Sequence, residues 1–243
     1  MSDRPSPASA SAAAPTATGT TLLVIAKTPV PGRVKTRLTP DLTPDQAADV
    51  AEAALADTFD AVLAAPAARR VLVLDGPPRP WFPCGLEVVP QTGGGLDVRL
   101  AAAFALCTGP ALLVGMDTPQ LRPDLLAVDW TDTDAWFGPA ADGGFWALGL
   151  RRPDPALLLG VPMSTPRTGA AQLARLTGAG LRVGLLPELT DIDHVADLAA
   201  VAAAAPGTRT ARLARHLLPG TAVPQPHRAP ARATATATAT ATA

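Results

Sequence analysis

Only two lysines occur in this 243-residue chain, Lys27 and Lys35, and they fall within nine positions of each other. The remaining eighteen of its twenty basic residues are arginines, and tyrosine and asparagine are absent. Such a skew towards Ala, Arg, Pro and Gly matches the codon usage of a GC-rich genome. Two ammonium groups kept so close together against that bias point to a site that needs them. With Arg33 and Arg37 they flank Gly32 and the hydroxyl of Thr36 in the segment KTPVPGRVKTRL, residues 27–38. Glycine lets backbone N–H groups approach an anion and the cations neutralise it, a combination suited to a polyanion such as a triphosphate. A basic surface loop is the plainer reading. The segment is not a Walker A loop, because Val34 stands before Lys35 where that motif requires glycine.

Carboxylates follow at later strand ends. The apolar run Ala111–Val114 leads into GMDTP, which puts Asp117 at the mouth of a buried strand. A carboxylate there is costly unless paired or bound to a cation. Mg²⁺ held by one or two carboxylates plus substrate phosphates meets that need, as does a cap for the following short helix. Asp191 and Asp193 lie on one side of an extended segment, with Asp197 four residues beyond Asp193. Asp193 could equally cap the terminal helix, with Asp191 and Asp197 solvated. In Asp142-Gly143-Gly144 the glycines permit positive φ and close backbone approach, although a plain hairpin turn asks for the same residues. Gln91 with Gly93, Gly94 and Gly95 forms a loop before a helix start, able to receive a phosphate or a base. It lacks GxGxxG spacing, which argues against a dinucleotide site.

The elements that position these loops are readable from pattern. Short apolar runs predict strands at Thr21–Ala26, Val71–Leu74, Leu86–Val89, Ala111–Gly115, Ala135–Phe137, Phe145–Leu150 and Leu181–Leu185. Thr43-Pro44-Asp45-Gln46 reads as a capping box with proline at the first helical position, opening a helix that runs to Pro66. Further helices are expected at 96–106, near Pro123, at 168–176, and once or twice between Asp193 and Leu218. No repeat of 20–50 residues interrupts the alternation. Strands alternating with helices define an α/β fold, a three-layer α/β/α sandwich around a mostly parallel mixed sheet. Ligands in such sheets bind beyond the carboxyl ends of the strands, where the loops above lie.

Composition narrows the class. The chain is 48% hydrophobic and 17% charged, with a formal net charge of −1. Residues 1–20 are nearly all Ala, Ser, Pro and Thr, and residues 219–243 pass from a Pro-rich stretch into Thr-Ala repeats. Neither end has the apolar surface to offset its ordering entropy, so both are expected to be disordered tails around one domain at 21–218. No apolar run suits a membrane span or a signal peptide. Cys84 and Cys107 give neither a disulfide framework nor metal spacing, in keeping with a reducing cytoplasm. The three histidines are scattered, and no basic stripe offers itself to nucleic acid.

Taken in order, AKTPVPGRVKTRL at 26–38, GMDTPQL at 115–121, GPAADGGFWALGL at 138–150, STPRT at 164–168 and LTDIDHVADL at 189–198 give a resemblance. The chain resembles the bacterial radical-SAM/selenodomain-associated transferases, a branch of the nucleotide-diphospho-sugar transferase (GT-A) superfamily. Phospholactate and molybdenum-cofactor guanylyltransferases are near relatives of that branch. The resemblance implies a GT-A-like sheet that binds a nucleotide at its carboxyl edge with a divalent metal, Mg²⁺ or Mn²⁺. It implies phosphate binding by Lys27, Gly32, Lys35 and Arg37, with Asp117 as principal metal ligand and Asp193 as second. Asp142, Gly143, Gly144, Ser164 and Thr165 would line the acceptor side. Ala141, Phe145 and Met163 depart from the family's usual acidic residue, Tyr and Trp, which leaves acceptor identity open.

Together the two readings nominate Lys35, Arg37 and Asp117 as catalytic. Lys27, Gly32, Arg33, Lys35, Thr36, Arg37, Gln91, Gly93 and Gly94 are nominated for the nucleotide. The chemistry expected is nucleotidyl transfer from an NTP to a small phosphorylated or carboxylated acceptor with loss of pyrophosphate. Glycosyl transfer from a nucleotide-sugar is the alternative, and nucleotide binding without turnover a second. The expected partners are a nucleotide and a small acceptor, in the cytoplasm, with oligomeric state open. Replacing Lys35 with alanine is expected to weaken nucleotide binding with little loss of stability.

Overall fold

A computed structural model describes residues 19–219. The expected tails fall almost wholly on residues 1–18 and 220–243, outside the described residues. Seven strands form one sheet: β1 (Thr21–Lys27), β2 (Arg69–Asp75), β3 (Glu87–Pro90), β4 (Ala111–Val114), β5 (Ala135–Pro139), β6 (Phe145–Leu150) and β7 (Val183–Leu185). Their spatial order is β3-β2-β1-β4-β6-β5-β7. Neighbours among β1–β4 pair in parallel, as do β5 and β7, while β6 runs antiparallel to both β4 and β5. The sheet is thus mixed and mostly parallel, as the alternation of elements requires.

Residues of β1 are buried on both faces, which explains its unbroken apolar run. Leu22, Val24 and Ala26 pack under α1 (Pro44–Ala64) and α3 (Pro123–Leu126). Leu23 faces α2 (Leu96–Ala105) and α4 (Thr168–Gly178) on the other side. The capping box of α1 forms as read: Gln46 N donates to Thr43 Oγ1 at 3.2 Å, and Thr43 N to Gln46 Oε1 at 2.9 Å. At the start of β1, Thr20 is buried and Trp130 Nε1 donates to its hydroxyl at 2.9 Å.

Helix α1 has a second apolar face. Ala47, Val50 and Ala54 pack against α5 (Val195–Ala204) and α6 (Arg209–Leu217), joined by Leu38, Leu42 and Ile192. This outer layer is fastened by Asp57, whose side chain is 6% exposed. Asp57 accepts from the backbone N–H groups of Arg209 and Thr210, both at 2.9 Å, and from the Thr210 hydroxyl at 2.8 Å. A residue of one helix therefore satisfies the open N–H groups of another. Asp57→Ala is expected to destabilise the protein by about 2–3 kcal/mol, since it removes a cap and leaves buried donors unpaired. Urea denaturation checks this, and a loss under about 0.5 kcal/mol would contradict the fastening role.

Candidate functional site

Strand direction brings the chemistry to one edge. β1, β2, β3, β4 and β5 all end there, and the reversed β6 begins there, so the turn at 140–144 joins the same rim. Between these loops lies a cleft of about 950 Å³. Most of the residues nominated from sequence line it. Gly32, Gly93 and Gly143 sit beside lining residues without lining it themselves.

The first loop is held by its apolar residues. Val34 and Leu38 are buried, Leu38 among α1, α5 and α6. Gly32 has φ +73°, and Lys35 is left-handed too (φ 48°, ψ 37°), followed by a 3-10 turn at Thr36–Leu38. A left-handed lysine is unusual, costing about 1–2 kcal/mol, and here it turns the side chain inward. The Lys35 side chain is 6% exposed, with Nζ 2.8 Å from Asp117 Oδ1 and 3.9 Å from Asp193 Oδ1. Arg37 Nη1 donates to Asp193 Oδ2 at 2.5 Å. Lys27 and Arg33 are exposed, and among the described residues neither is paired with a carboxylate. Two cations of the loop are thus engaged by carboxylates and two remain available to an anion.

Asp117 does not cap a helix, because the next one begins only at Pro123, with Arg122 in the cap position. Its carbonyl accepts from Ile192 N at 3.1 Å, and Gln120 Nε2 donates to Thr190 O at 2.8 Å. These bonds bring the exit of β4 beside the segment 190–193. Ile192 is fully buried, while Asp191 and Asp193 on either side of it line the cleft. Asp193 is not the cap of α5 either. His194 holds the cap position of that helix, and Asp197 Oδ2 accepts from His194 N at 2.7 Å and Asp193 N at 3.1 Å. Asp197 therefore has the capping role and leaves the Asp193 carboxylate to Lys35 and Arg37.

On the facing wall, Asp142 Oδ1 accepts from Gly144 N at 2.7 Å, closing the turn. Gly143 (φ +86°) presents its carbonyl to Gly169 N at 2.8 Å, which ties the turn to the first residues of α4. Ser164 is left-handed at φ 57°, and Thr165 N donates to the Thr168 hydroxyl at 3.0 Å. A Cβ on Gly169 would lie 2.5 Å from Gly144 O, so only glycine allows this approach. Gly169 has no functional signature of its own; its position beside STPRT was the only clue.

The third wall comes from the loop after β3. Gln91 Nε2 donates to Ala26 O at 2.8 Å and Val73 O at 3.1 Å, so its amide fixes the loop to the sheet. Arg99 lines the cleft although its residue type and position gave no motif. Its Nη1 donates to Asp75 Oδ2 at 2.9 Å and Gln91 Oε1 at 3.0 Å, and its Nε to Gly94 O at 3.1 Å. It stands one turn into the helix after three glycines, the one signal that could have found it.

Asp191 carries the strongest electrostatic perturbation. Burial raises its carboxyl to about 7, the carboxylates of Asp142, Asp117 and Asp193 push the same way, and Lys35 opposes them. Asp191 Oδ1 is buried without a hydrogen-bond partner. Among the described residues, no three His, Cys, Asp or Glu side chains gather into a metal-holding group on their own. An uncompensated oxygen amid hard oxygen donors nevertheless fits a Mg²⁺-like ion that draws its remaining ligands from water and substrate.

A raised carboxyl binds its proton in the folded state where the unfolded chain has released it. Stability therefore falls as pH rises from about 4 towards 7, and the whole penalty is present above 7. With metal chelated, Asp191→Asn is expected to stabilise the protein at pH 8 by about 2 kcal/mol, allowing for solvent screening. The difference should vanish near pH 4. Equal midpoints for the two chains at pH 8 would contradict it.

A mixed sheet with a cation loop after its first strand and acidic residues across the cleft is the arrangement of a GT-A-like transferase. Phosphoenolpyruvate guanylyltransferase of Salinispora arenicola (strain CNS-205) is 36% identical over 210 residues, covering 79% of this chain and 91% of that protein. Residues 47–165 match the family described as "Uncharacterized protein conserved in bacteria (DUF2064)". The chain belongs to this GT-A-like nucleotidyltransferase family. Its fold is shared with a protein of Desulfovibrio desulfuricans G20 assigned as a nucleotide-diphospho-sugar transferase, at TM-score 0.73 and 24% identity, covering 81% of this chain and 94% of that one. It is shared more distantly with CMP:2-keto-3-deoxy-manno-octonic acid synthetase solved with CTP, at TM-score 0.50 and 13% identity, covering 82% and 99%. No helix among the described residues is long and apolar enough to cross a membrane.

Proposed function

We propose that this chain transfers a nucleotidyl group from an NTP to a small phosphorylated or carboxylated acceptor. The observation that carries the reading is the division of the first loop. Among the described residues Lys27 and Arg33 pair with no carboxylate and stand at the rim, while Lys35 and Arg37 reach the carboxylates across the cleft. A triphosphate laid along the loop meets cations at one end and, at the other, the acidic groups that take a divalent ion.

Asp117 and Asp193, with Asp191 beside them, would hold Mg²⁺ or Mn²⁺. Such an ion, when bound, neutralises charge on the phosphoryl group being transferred. The chain's own residues position and neutralise. Lys27, Arg33, Lys35 and Arg37, with Gly32 and Thr36, bind the triphosphate, and Gly93 and Gly94 let the base approach the backbone. Asp142, Gly143, Gly144, Ser164 and Thr165 orient the acceptor. An acceptor oxygen attacks the α-phosphorus, the bond to the bridging oxygen breaks, and pyrophosphate leaves with that oxygen. An anionic acceptor brings no proton to remove, so the transfer asks for no general base, and His194, which lines the cleft with Nδ1 3.5 Å from Asp197, has no step assigned to it. The 36%-identical relative is named a guanylyltransferase of phosphoenolpyruvate, so GTP and an enol phosphate are the first pair to test. A cytoplasmic setting, where nucleoside triphosphates are plentiful, belongs to the same reading.

The full chain incubated with each NTP, Mg²⁺ or Mn²⁺ and a panel of phosphorylated and carboxylated acceptors should release pyrophosphate with at least one pair. Nucleoside diphosphate release from a nucleotide-sugar would show glycosyl transfer instead. Metal-dependent nucleotide binding without turnover on any pair would leave a binding protein.

A further inference from the structure

Lys35 differs from the other cations of its loop. Lys27 and Arg33 face solvent, whereas the Lys35 ammonium is buried against the oxygens that would receive a divalent cation, 2.8 Å from Asp117 and 3.9 Å from Asp193. The position is built. Val34 and Leu38 anchor the loop on either side, and the left-handed backbone at Lys35 aims the side chain inward. Arg37 takes the other oxygen of Asp193, so both carboxylates already have a cation.

We propose that Lys35 is an exchangeable internal cation, which keeps free divalent metal off Asp117 and Asp193 until a substrate anion draws the ammonium away. A divalent ion and an ammonium cannot share the same carboxylate oxygens without strong repulsion across a few ångströms. Metal arriving alone must evict a buried Lys35 whose neighbouring carboxylates, Asp117, Asp193 and Asp191, are the ones the metal itself would take. A triphosphate supplies that anion and also gives the metal further oxygens, so the two ligands bind best together. Linkage makes the coupling reciprocal: each tightens the other by the same factor. The triphosphate's part rests on the function proposed above, whereas the exchange between lysine and metal rests on geometry alone.

The test uses Mn²⁺ on the full chain without nucleotide, read by the electron paramagnetic resonance signal of free Mn²⁺. The wild-type chain should bind Mn²⁺ weakly, and Lys35→Met, which keeps the length and removes the charge, should lower the Kd at least tenfold. Lys35→Arg should stay near wild type. A folded Lys35→Met chain whose Mn²⁺ affinity equals or falls below wild type overturns the proposal. A second measurement needs no variant. With only two lysines in the chain, acetylation followed by mass spectrometry separates Lys27 from Lys35. Saturating Mn²⁺ should raise the reactivity of Lys35 several-fold by releasing it from Asp117, and a rate that Mn²⁺ leaves unchanged overturns the proposal. Neither measurement involves a nucleotide, so a failure here and a failure of the pyrophosphate assay are separate results.

Discussion

Asp117→Asn is expected to lower the rate of pyrophosphate release by about 10²- to 10³-fold, the range for removing one preorganised electrostatic group from an active site. Stability should change little. The Asp117 side chain is 41% exposed and its charged partner is Lys35, which retains Asp193 at 3.9 Å. Loss of the ion pair is opposed by relief at Asp191, whose carboxyl is pushed up by the Asp117 charge among others. The two effects act in opposite directions on the fold, whereas the loss of the Asp117 carboxylate acts directly on catalysis. Steady-state pyrophosphate assays with a thermal melt of the same sample separate them. Activity within tenfold of wild type would remove Asp117 from the reaction.

Gly143→Ala should be the most damaging single methyl in the cleft. An added Cβ would lie 2.2 Å from the Pro166 carbonyl oxygen, a backbone atom that cannot rotate aside, and the position has φ +86°. Positive φ costs a non-glycine residue about 1–2 kcal/mol, and overpacking adds about 1–3 kcal/mol, so a loss of about 2–5 kcal/mol is expected. The function should fail in a particular way. The turn at 140–144 would part from the start of α4, raising KM for the acceptor well above tenfold while NTP binding at the far wall persists. Gly144→Ala is the control. Its Cβ would meet a side-chain oxygen of Asp142 at 3.0 Å, and its φ lies outside the left-handed region, so a milder effect is expected. Equal losses from the two substitutions, or an acceptor KM unchanged in Gly143→Ala, would show that the contact with Pro166 does not hold the wall.

The central strands were legible because a sheet covered on both faces needs unbroken apolar runs there, and the long helix because its capping box is local chemistry. The site was legible at loop resolution, since cations after β1 and carboxylates after β4 are conspicuous in an otherwise near-neutral chain. What pattern could not resolve depended on long-range contacts. In sequence Asp193 is the candidate cap and Asp197 a solvated helix residue, and only the path of the chain into α5 gives the capping role to Asp197 instead. Gln91 was a candidate for the nucleotide, yet its amide is fixed by carbonyls of β1 and β2 far away in sequence. From sequence, Lys35→Ala is expected to weaken nucleotide binding with little loss of stability. Burial beside Asp117 changes that expectation, because truncation leaves three neighbouring carboxylates with less positive charge.

The single reversed strand divides the rim of the sheet into two halves of different construction. Parallel strands β3-β2-β1-β4 carry the cation loop and the Gln91 loop, each of which returns through a helix that is part of the core. The facing wall instead hangs on the short β5–β6 connection, which is tied through Gly143 O to the start of α4, so the turn and residues 163–169 must vary as one unit. On the function proposed above, a chain built this way can change its acceptor wall while keeping the loops assigned to the nucleotide. Exchanging residues 140–144 together with 163–169 between relatives is therefore the most economical route to moving acceptor preference from one member to another.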